Sequence, residues 1–429
     1  MSHEVVDIRS LLRWDDPEVL RITEQVFEKC ILGKVFPPEV PLAHPWISPG
    51  GCYRGQWIWD TMFVVDLLSL LPGTESVIRD VFQNYWDFQA RWNALMPDHA
   101  HDMIACMIEP GKREEEWLKY PAYSQIPILA WGLERVYRRN GDRDLVSRSL
   151  SPLERFHDWY WRERDVSGTG LLSVGAYTDA PVGIYDAVQQ ARFETFDFEC
   201  NLDGLKLTRH PVRTGAGEGK WYGDICLPGI TAYLVLAEQC LARLAEIMGD
   251  GGMAARRRVR AAQGAEAMRK HMWDQGSGVF FAVKRDTLEK IPVATIGSWI
   301  PLHAGIPTPN QAARMAEAFR TEGWQTPLPV PTVDRRDMRY ASAGMWRGDV
   351  WPATNYQVAD GFAAYGFRDL AAEIADKTIA NAIRNGISEH YDSVSGKAIG
   401  VEFLGMTCTI VTMMLDQLSR RFRLQVLDS

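Results

Sequence analysis

Tryptophans and carboxylates lie side by side at several places in this chain. In Gln56-Trp57-Ile58-Trp59-Asp60-Thr61, two indoles two residues apart precede an Asp. In Met345-Trp346-Arg347-Gly348-Asp349-Val350-Trp351-Pro352, followed by Ala353-Thr354-Asn355, two more bracket an Arg and an Asp. An indole face is an apolar platform against which one face of a sugar ring can lie, while carboxylate, guanidinium and amide groups bind hydroxyls. The same residues fit a plainer role, with Asp60 as a helix N-cap, Arg347 and Asp349 as a loop ion pair, and the indoles in the core. A third segment, Gly386-Ile387-Ser388-Glu389-His390-Tyr391-Asp392, closes with Ser395-Gly396 and Gly400. Between these turn signals Glu389 can point into a cavity or simply lie on a surface loop. A fourth, Ser173-Val174-Gly175-Ala176-Tyr177-Thr178-Asp179-Ala180-Pro181 with Asp186 after it, is an irregular loop carrying carboxylates.

Composition narrows the chemistry. The 429 residues are 46% hydrophobic and 24% charged, an ordinary globular make-up. Lys+Arg number 47 against 55 Asp+Glu, so the net charge of −8 argues against nucleic acid and against an anionic membrane surface. The run Met62–Leu71 is too short to span a bilayer and contains Asp66. The N-terminus lacks the apolar stretch of a signal peptide, and the seven cysteines are scattered without a CxxC pair. These features describe a reduced, cytoplasmic protein. Its 16 tryptophans fit either a large core or a carbohydrate site.

Helical periodicity recurs over Thr74–Trp92, Ser124–Arg139, Leu153–Arg164, Pro228–Met248, Met253–Trp273, Asn310–Glu322, Phe367–Arg384 and Met406–Phe422. Stop signals follow several of these, at Asn140-Gly141, Gly249-Asp250-Gly251 and Asn385-Gly386. Strand-like alternation is scarce, as in Gly278–Val283. The expectation is an all-α chain, residues 1–429 as one domain, whose helices alternate with short and long loops as an α-hairpin toroid requires. The loops between helices are where a site would sit.

The four segments, taken in order, resemble glycoside hydrolase family 63. The run MWRGDVWPATNYQVADGFAAYG is similar to the family's WRGPxWxxxNYLVxxGLxxYG, SEHYDSVSGKAIG to its EQYDPxTGxGxG, and QWIWDTMF to its WxWDSxF. Ser124-Gln125-Ile126-Pro127 resembles its TQPP helix start, and Arg164–Leu171 its RDxDGDGL turn. The resemblance runs from about residue 55 to 410 and implies an (α/α)6 barrel with the site in a funnel at one end. It also implies an inverting α-glycosidase that needs no metal or cofactor and acts on a small gluco- or manno-configured glycoside. Glu389 falls on the general base. Trp57, Trp59, Asp60, Gln125, Trp346, Arg347, Trp351 and Tyr391 are the sugar-binding candidates. The acid segment SGxDxSP corresponds to VGAYTDAP, where alignment on the Pro puts Thr178 at the acid and a one-residue shift puts Asp179 there. Asp179 is the choice because Thr cannot protonate a leaving group, with Asp186 as fallback. The insertion around residues 186–220 has no counterpart and is expected to shape the leaving-group side.

Such chemistry needs one protonated carboxyl to donate to the glycosidic oxygen and one carboxylate to activate water, about 6.5–9.5 Å apart. Aromatic walls would stack sugar and raise a carboxyl pKa by desolvation. Other signals are weaker. Asp98-His99-Ala100-His101-Asp102 has metal-like spacing without an evident third ligand. Gly215–Lys220 lacks the spacing of a phosphate loop. The basic run Arg256–Arg260 fits a solvated helix face, and a homo-oligomer is compatible with the sequence. The competing functions are a sugar isomerase or epimerase on a helical toroid, which commonly works through histidines, and an inactive sugar-binding homologue.

Overall fold

The computed structural model describes residues 8–14, 16–95, 101–112, 124–177, 207–209, 220–321 and 323–427. Helices come in antiparallel pairs along the chain. They are α2 (Ile58–Leu68) with α3 (Glu75–Leu95), α4 (Leu129–Asn140) with α5 (Arg143–Glu163), α6 (Pro228–Ile247) with α7 (Gly251–His271), α8 (Ile300–His303) with α9 (Pro309–Phe319), and α10 (Pro352–Ala364) with α11 (Arg368–Asn385). The last pair joins the chain's two ends. The 3-10 turn Gly405–Cys408, which leads into α12 (Thr409–Leu415), packs against Val26–Ile31, the π-helical continuation of α1 (Pro17–Gln25). A short antiparallel pairing of Leu12–Arg13 with Gln425–Val426 fastens the two termini beside it.

The first member of each of the five pairs, together with α12, forms the inner wall. α2 packs on α4, α4 on α6, α6 on α8, α8 on α10, α10 on α12, and the turn into α12 packs on α2, which closes the ring. The fold is an (α/α)6 barrel, as the sequence leads one to expect. Inner helices are enclosed by their neighbours, and every residue of α2 is buried. Outer helices bury one stripe and keep charges on the other face.

That difference explains where the periodicity reading departs from the structure. α2, α8 and α10 are buried nearly all round, so their polar residues do not line one exposed face and little amphipathic period results. α4 starts at Leu129 rather than Ser124, because Pro127 disfavours helical backbone at Ile126 and leaves Ser124–Ile128 non-helical. α5 starts earlier, at Arg143, where the Asp142 side chain accepts the Leu145 N–H at 3.0 Å, and it runs through Pro152. α12 is shorter than the periodicity over Met406–Phe422 suggests.

Strands are few and lie at the ends of the barrel. β1 (Gln56–Trp57) pairs with β2 (Met107–Ile108). β3 (Ser173–Tyr177), β4 (Leu207–Arg209), β5 (Lys220–Cys226), β6 (Ala282–Lys284) and β7 (Lys290–Ile291) form one antiparallel sheet in the order β7-β6-β5-β3, with β4 also on β5. β8 (Ser388–Tyr391) and β9 (Ala398–Glu402) form a hairpin. No described helix is long and apolar enough to cross a membrane.

Candidate active site

The N-terminal ends of α2 and α10, the stretch before α4 and the β8–β9 hairpin converge at one mouth of the barrel. Trp57, in extended backbone, is the N-cap of α2, so Asp60 sits at the third helical position and is not the cap. The first turn of a helix leaves N–H groups without intrahelical partners. Here the Gln125 side chain, arriving from the next hairpin, accepts the Trp59 N–H at 2.9 Å. The Gln125 carbonyl accepts the Tyr160 hydroxyl of α5. One amide thus ties the starts of two inner-wall segments together.

Glu389 is 3% exposed and held at both oxygens. Tyr53 donates its hydroxyl to Oε1 at 2.8 Å, and the Val401 N–H donates to Oε2 at 2.9 Å. The second bond depends on a bulge. Ser388 pairs with Glu402 but His390 with Ile399, so β9 carries an extra residue at Gly400-Val401. Bulges re-aim backbone groups in this way. Gly400 takes φ +78°, and a Cβ there would lie 2.4 Å from Glu389 Oε2. Burial, followed by the neighbouring Glu389 charge, pushes the Tyr53 hydroxyl well above its usual range, so it remains a donor.

Asp60 shares this mouth. Burial and then the Glu389 charge push its carboxyl up to about 7, overcoming the favourable N-terminal helix position. Asp60 thus holds its proton to far higher pH than an exposed carboxyl, next to a Glu389 side chain that accepts two hydrogen bonds.

An aromatic wall flanks them. Trp346 stacks on Trp351 with centroids 4.2 Å apart and planes 10° apart, and Trp351 stacks on His390 at 4.9 Å and 8°. Trp59 approaches Trp346 at 6.5 Å. Trp57 lies beside Tyr53, edge to face, in a small cluster with Cys106 and Met107. Trp346 is in left-handed backbone, φ +56°, a conformation that costs about 1–3 kcal/mol for such a residue and must be held by its surroundings. Arg347 follows it, half-buried.

Two of the expected sugar contacts are withdrawn inside the protein. Tyr391 is fully buried, and its hydroxyl donates to Gly386 O at 2.7 Å and accepts the Ser388 N–H at 3.0 Å. It shapes the β8 turn and presents no group to a ligand. Trp351 is 2% exposed, caps α10, and has its ring engaged by both Trp346 and His390. It supports Trp346 from behind. Asp179, its alternatives Thr178 and Asp186, and most of the 186–220 insertion lie outside the described residues, as do residues 98–100 of the His-containing segment. Asp102 there is engaged by Asn93 through its backbone N–H and carboxylate.

Sequence reasoning did not select Tyr53, His390 or Val401, and it read Asp349 only as a hydroxyl-binding carboxylate or as the partner of Arg347, whereas its oxygens accept from Trp346, Thr332 and Trp351. Tyr53 lies between the turn glycines Gly51 and Gly55, a non-helical aromatic just before the Trp-Asp segment, and that placement was the available signal. Val401 acts through its backbone, which no side-chain pattern reveals.

Residues 53–407 match the model of the mannosylglycerate hydrolase MGH1-like glycoside hydrolase domain. The chain belongs to that family, within glycoside hydrolase family 63. It is a glycoside hydrolase. The mannosylglycerate hydrolase of Thermus thermophilus is 25% identical over 393 residues, covering 82% of this chain and 92% of that one. The mannosylglycerate hydrolase of Rubrobacter radiotolerans is 22% identical over 408 residues, 84% of this chain and 90% of that one. Among solved structures, the Thermus thermophilus family 63 mannosylglycerate hydrolase in complex with glucose superposes with a TM-score of 0.67 at 21% identity, over 92% of this chain and 98% of that one. Neutral trehalase from Saccharomyces cerevisiae gives 0.61 at 17% identity, over 90% and 78%. These superpositions carry the barrel fold.

Proposed function

We propose that this enzyme hydrolyses a small α-glycoside of mannose or glucose, with mannosylglycerate and glucosylglycerate foremost, by an inverting mechanism without a metal or cofactor. The observation that carries the reading is the double anchoring of Glu389 by Tyr53 and Val401 beside the raised Asp60 carboxyl. The names of the relatives favour the glycerate aglycone.

In this mechanism Glu389 is the general base. The two donors fix its carboxylate so that it can accept a proton from water on the face of the sugar opposite the leaving group. Asp179 is the general acid that protonates the glycosidic oxygen. Asp60, carrying its proton near neutrality, both donates to and accepts from sugar hydroxyls, and its neutral form spares Glu389 a second adjacent negative charge. Trp59 and Trp346 provide the apolar wall, Trp57 and Arg347 border it, and Gln125 positions the start of α2. The enzyme works in the cytoplasm on a soluble small molecule.

A proton NMR time course on mannosylglycerate, glucosylglycerate and trehalose tests this reading. The β-anomer of the released sugar appears first with the wild type. Glu389→Gln lowers the rate by about 10³-fold while the melting temperature stays close to that of the wild type. Appearance of the α-anomer first would reject inversion, and an unimpaired Glu389→Gln enzyme would remove Glu389 as the base. Binding without turnover would favour an inactive homologue.

A further inference from the structure

Asp349 is fully buried, yet it lies in a loop rather than in a helix, and it collects donors from three directions. Its Oδ1 accepts the Trp346 backbone N–H at 2.9 Å and the Thr332 hydroxyl at 2.7 Å. Its Oδ2 accepts the Trp351 indole N–H at 2.6 Å and lies 2.9 Å from His390 Nδ1, an ion-pair distance without the alignment of a hydrogen bond. The Thr332 oxygen in turn accepts the Gly348 N–H at 2.9 Å. A buried carboxylate is tolerated only when its lone pairs are met, and these are.

The groups it gathers belong to different parts of the site. Trp346 is the indole held in left-handed backbone. His390 follows Glu389 on β8, is 5% exposed, and stacks on Trp351.

We infer that Asp349 and His390 are a positioning pair: one buried carboxylate fixes the Trp346 wall and, through His390, the strand that carries Glu389. Neither residue touches the reacting atoms. The pair acts by setting the distance and angle between the aromatic wall and the base, so a bound ring and the attacking water are held in register. This inference rests on the assignment of Glu389 as base and deepens it.

The test is a double-mutant cycle with Asp349→Asn, His390→Gln and the double variant. It reads kcat and KM on mannosylglycerate and glucosylglycerate, together with near-UV circular dichroism and melting temperature. Asp349→Asn keeps the volume but turns an amide N–H₂ toward donors. We expect kcat to fall about 10- to 100-fold in each single variant, with KM changed less, and the double variant to be no slower than the worse single one. The near-UV tryptophan signal changes in both single variants, because the Trp346–Trp351 stack shifts. Strictly multiplicative losses in the first cycle would overturn the coupling. A lowered melting temperature with unchanged kcat and KM at 25 °C would reduce the pair to a stabilising contact. An active Glu389→Gln enzyme would instead fault the base assignment. The near-UV signals would still report the pair: unchanged spectra in both single variants would overturn it.

Discussion

Asp60 and Asp66 lie on the same helix, α2, both buried, and their carboxyls go in opposite directions. At the N-terminal end, burial and then the Glu389 charge push Asp60 up to about 7. At the C-terminal end, burial would also raise Asp66, but Arg135 at 2.8 Å and Arg139 at 3.2 Å outweigh it and hold the carboxyl below its usual range. The neighbours of Asp66 repeat the pattern. Arg243 and Arg138 engage Glu134, Arg135 also reaches Asp416, and His303 meets Asp360 at 2.7 Å. One mouth of the barrel is closed by neutralised charge. Around Asp60 and Glu389, among the described residues, the partners are a hydroxyl, a backbone N–H and each other. Burial alone therefore does not mark a functional carboxylate; the groups that face it decide.

Breaking the closed end should have the largest effect. Asp66→Asn leaves two guanidiniums facing an amide and is expected to cost about 3–5 kcal/mol in urea unfolding, with kcat/KM of the folded enzyme little changed. Next comes the bulge. Gly400→Ala introduces a methyl into the Glu389 carboxylate at positive φ, and is expected to lower stability by about 2 kcal/mol and kcat by about 100-fold, read by chemical unfolding and steady-state kinetics.

Asp60→Asn sharpens the comparison, because its sign is opposite to that of Asp66→Asn. Asp60 has a folded pKa above its unfolded one. Between about pH 4 and 7 the unfolded state has lost the proton and the native state has not, so stability falls as pH rises through that window. The full cost above it is about 4 kcal/mol by linkage. Asp60→Asn should therefore be more stable than wild type by about 2 kcal/mol at pH 8, while binding sugar less well. Asp66, with a depressed pKa, contributes stability that is present above the unfolded value and lost as pH falls through the folded one. Parallel pH–stability profiles for the two Asn variants would defeat the distinction. The smallest expected effect is that of Tyr53→Phe, about tenfold in kcat/KM, since Val401 still holds the other Glu389 oxygen.

The outer helices and the inner helices α4 and α6 were legible as periodic stretches, and α2 as a helix following the Trp-Asp segment. α10 was not, because a helix buried nearly all round shows little period. The Trp-Asp, Trp-Arg and Glu389 segments were legible as clusters of residue types, and the family resemblance set them in one barrel. What the pattern could not convey was which side chains look inward. Tyr391 and Trp351 share motifs with Glu389 and Trp346 yet serve as their supports. The Asp349–His390 contact joins residues far apart in the chain, and neither residue has a local signal that requires the other.

The contrast along α2 can be read directly by carboxyl carbon-13 NMR of aspartate-labelled enzyme between pH 3 and 9, with Asp60→Asn and Asp66→Asn used for assignment. Asp60 should titrate near pH 7, and Asp66 should remain ionised down to the acid limit of the folded protein. If Asp60 titrated near pH 4, or the two carboxyls titrated together, the opposed electrostatics of the two barrel ends would be contradicted.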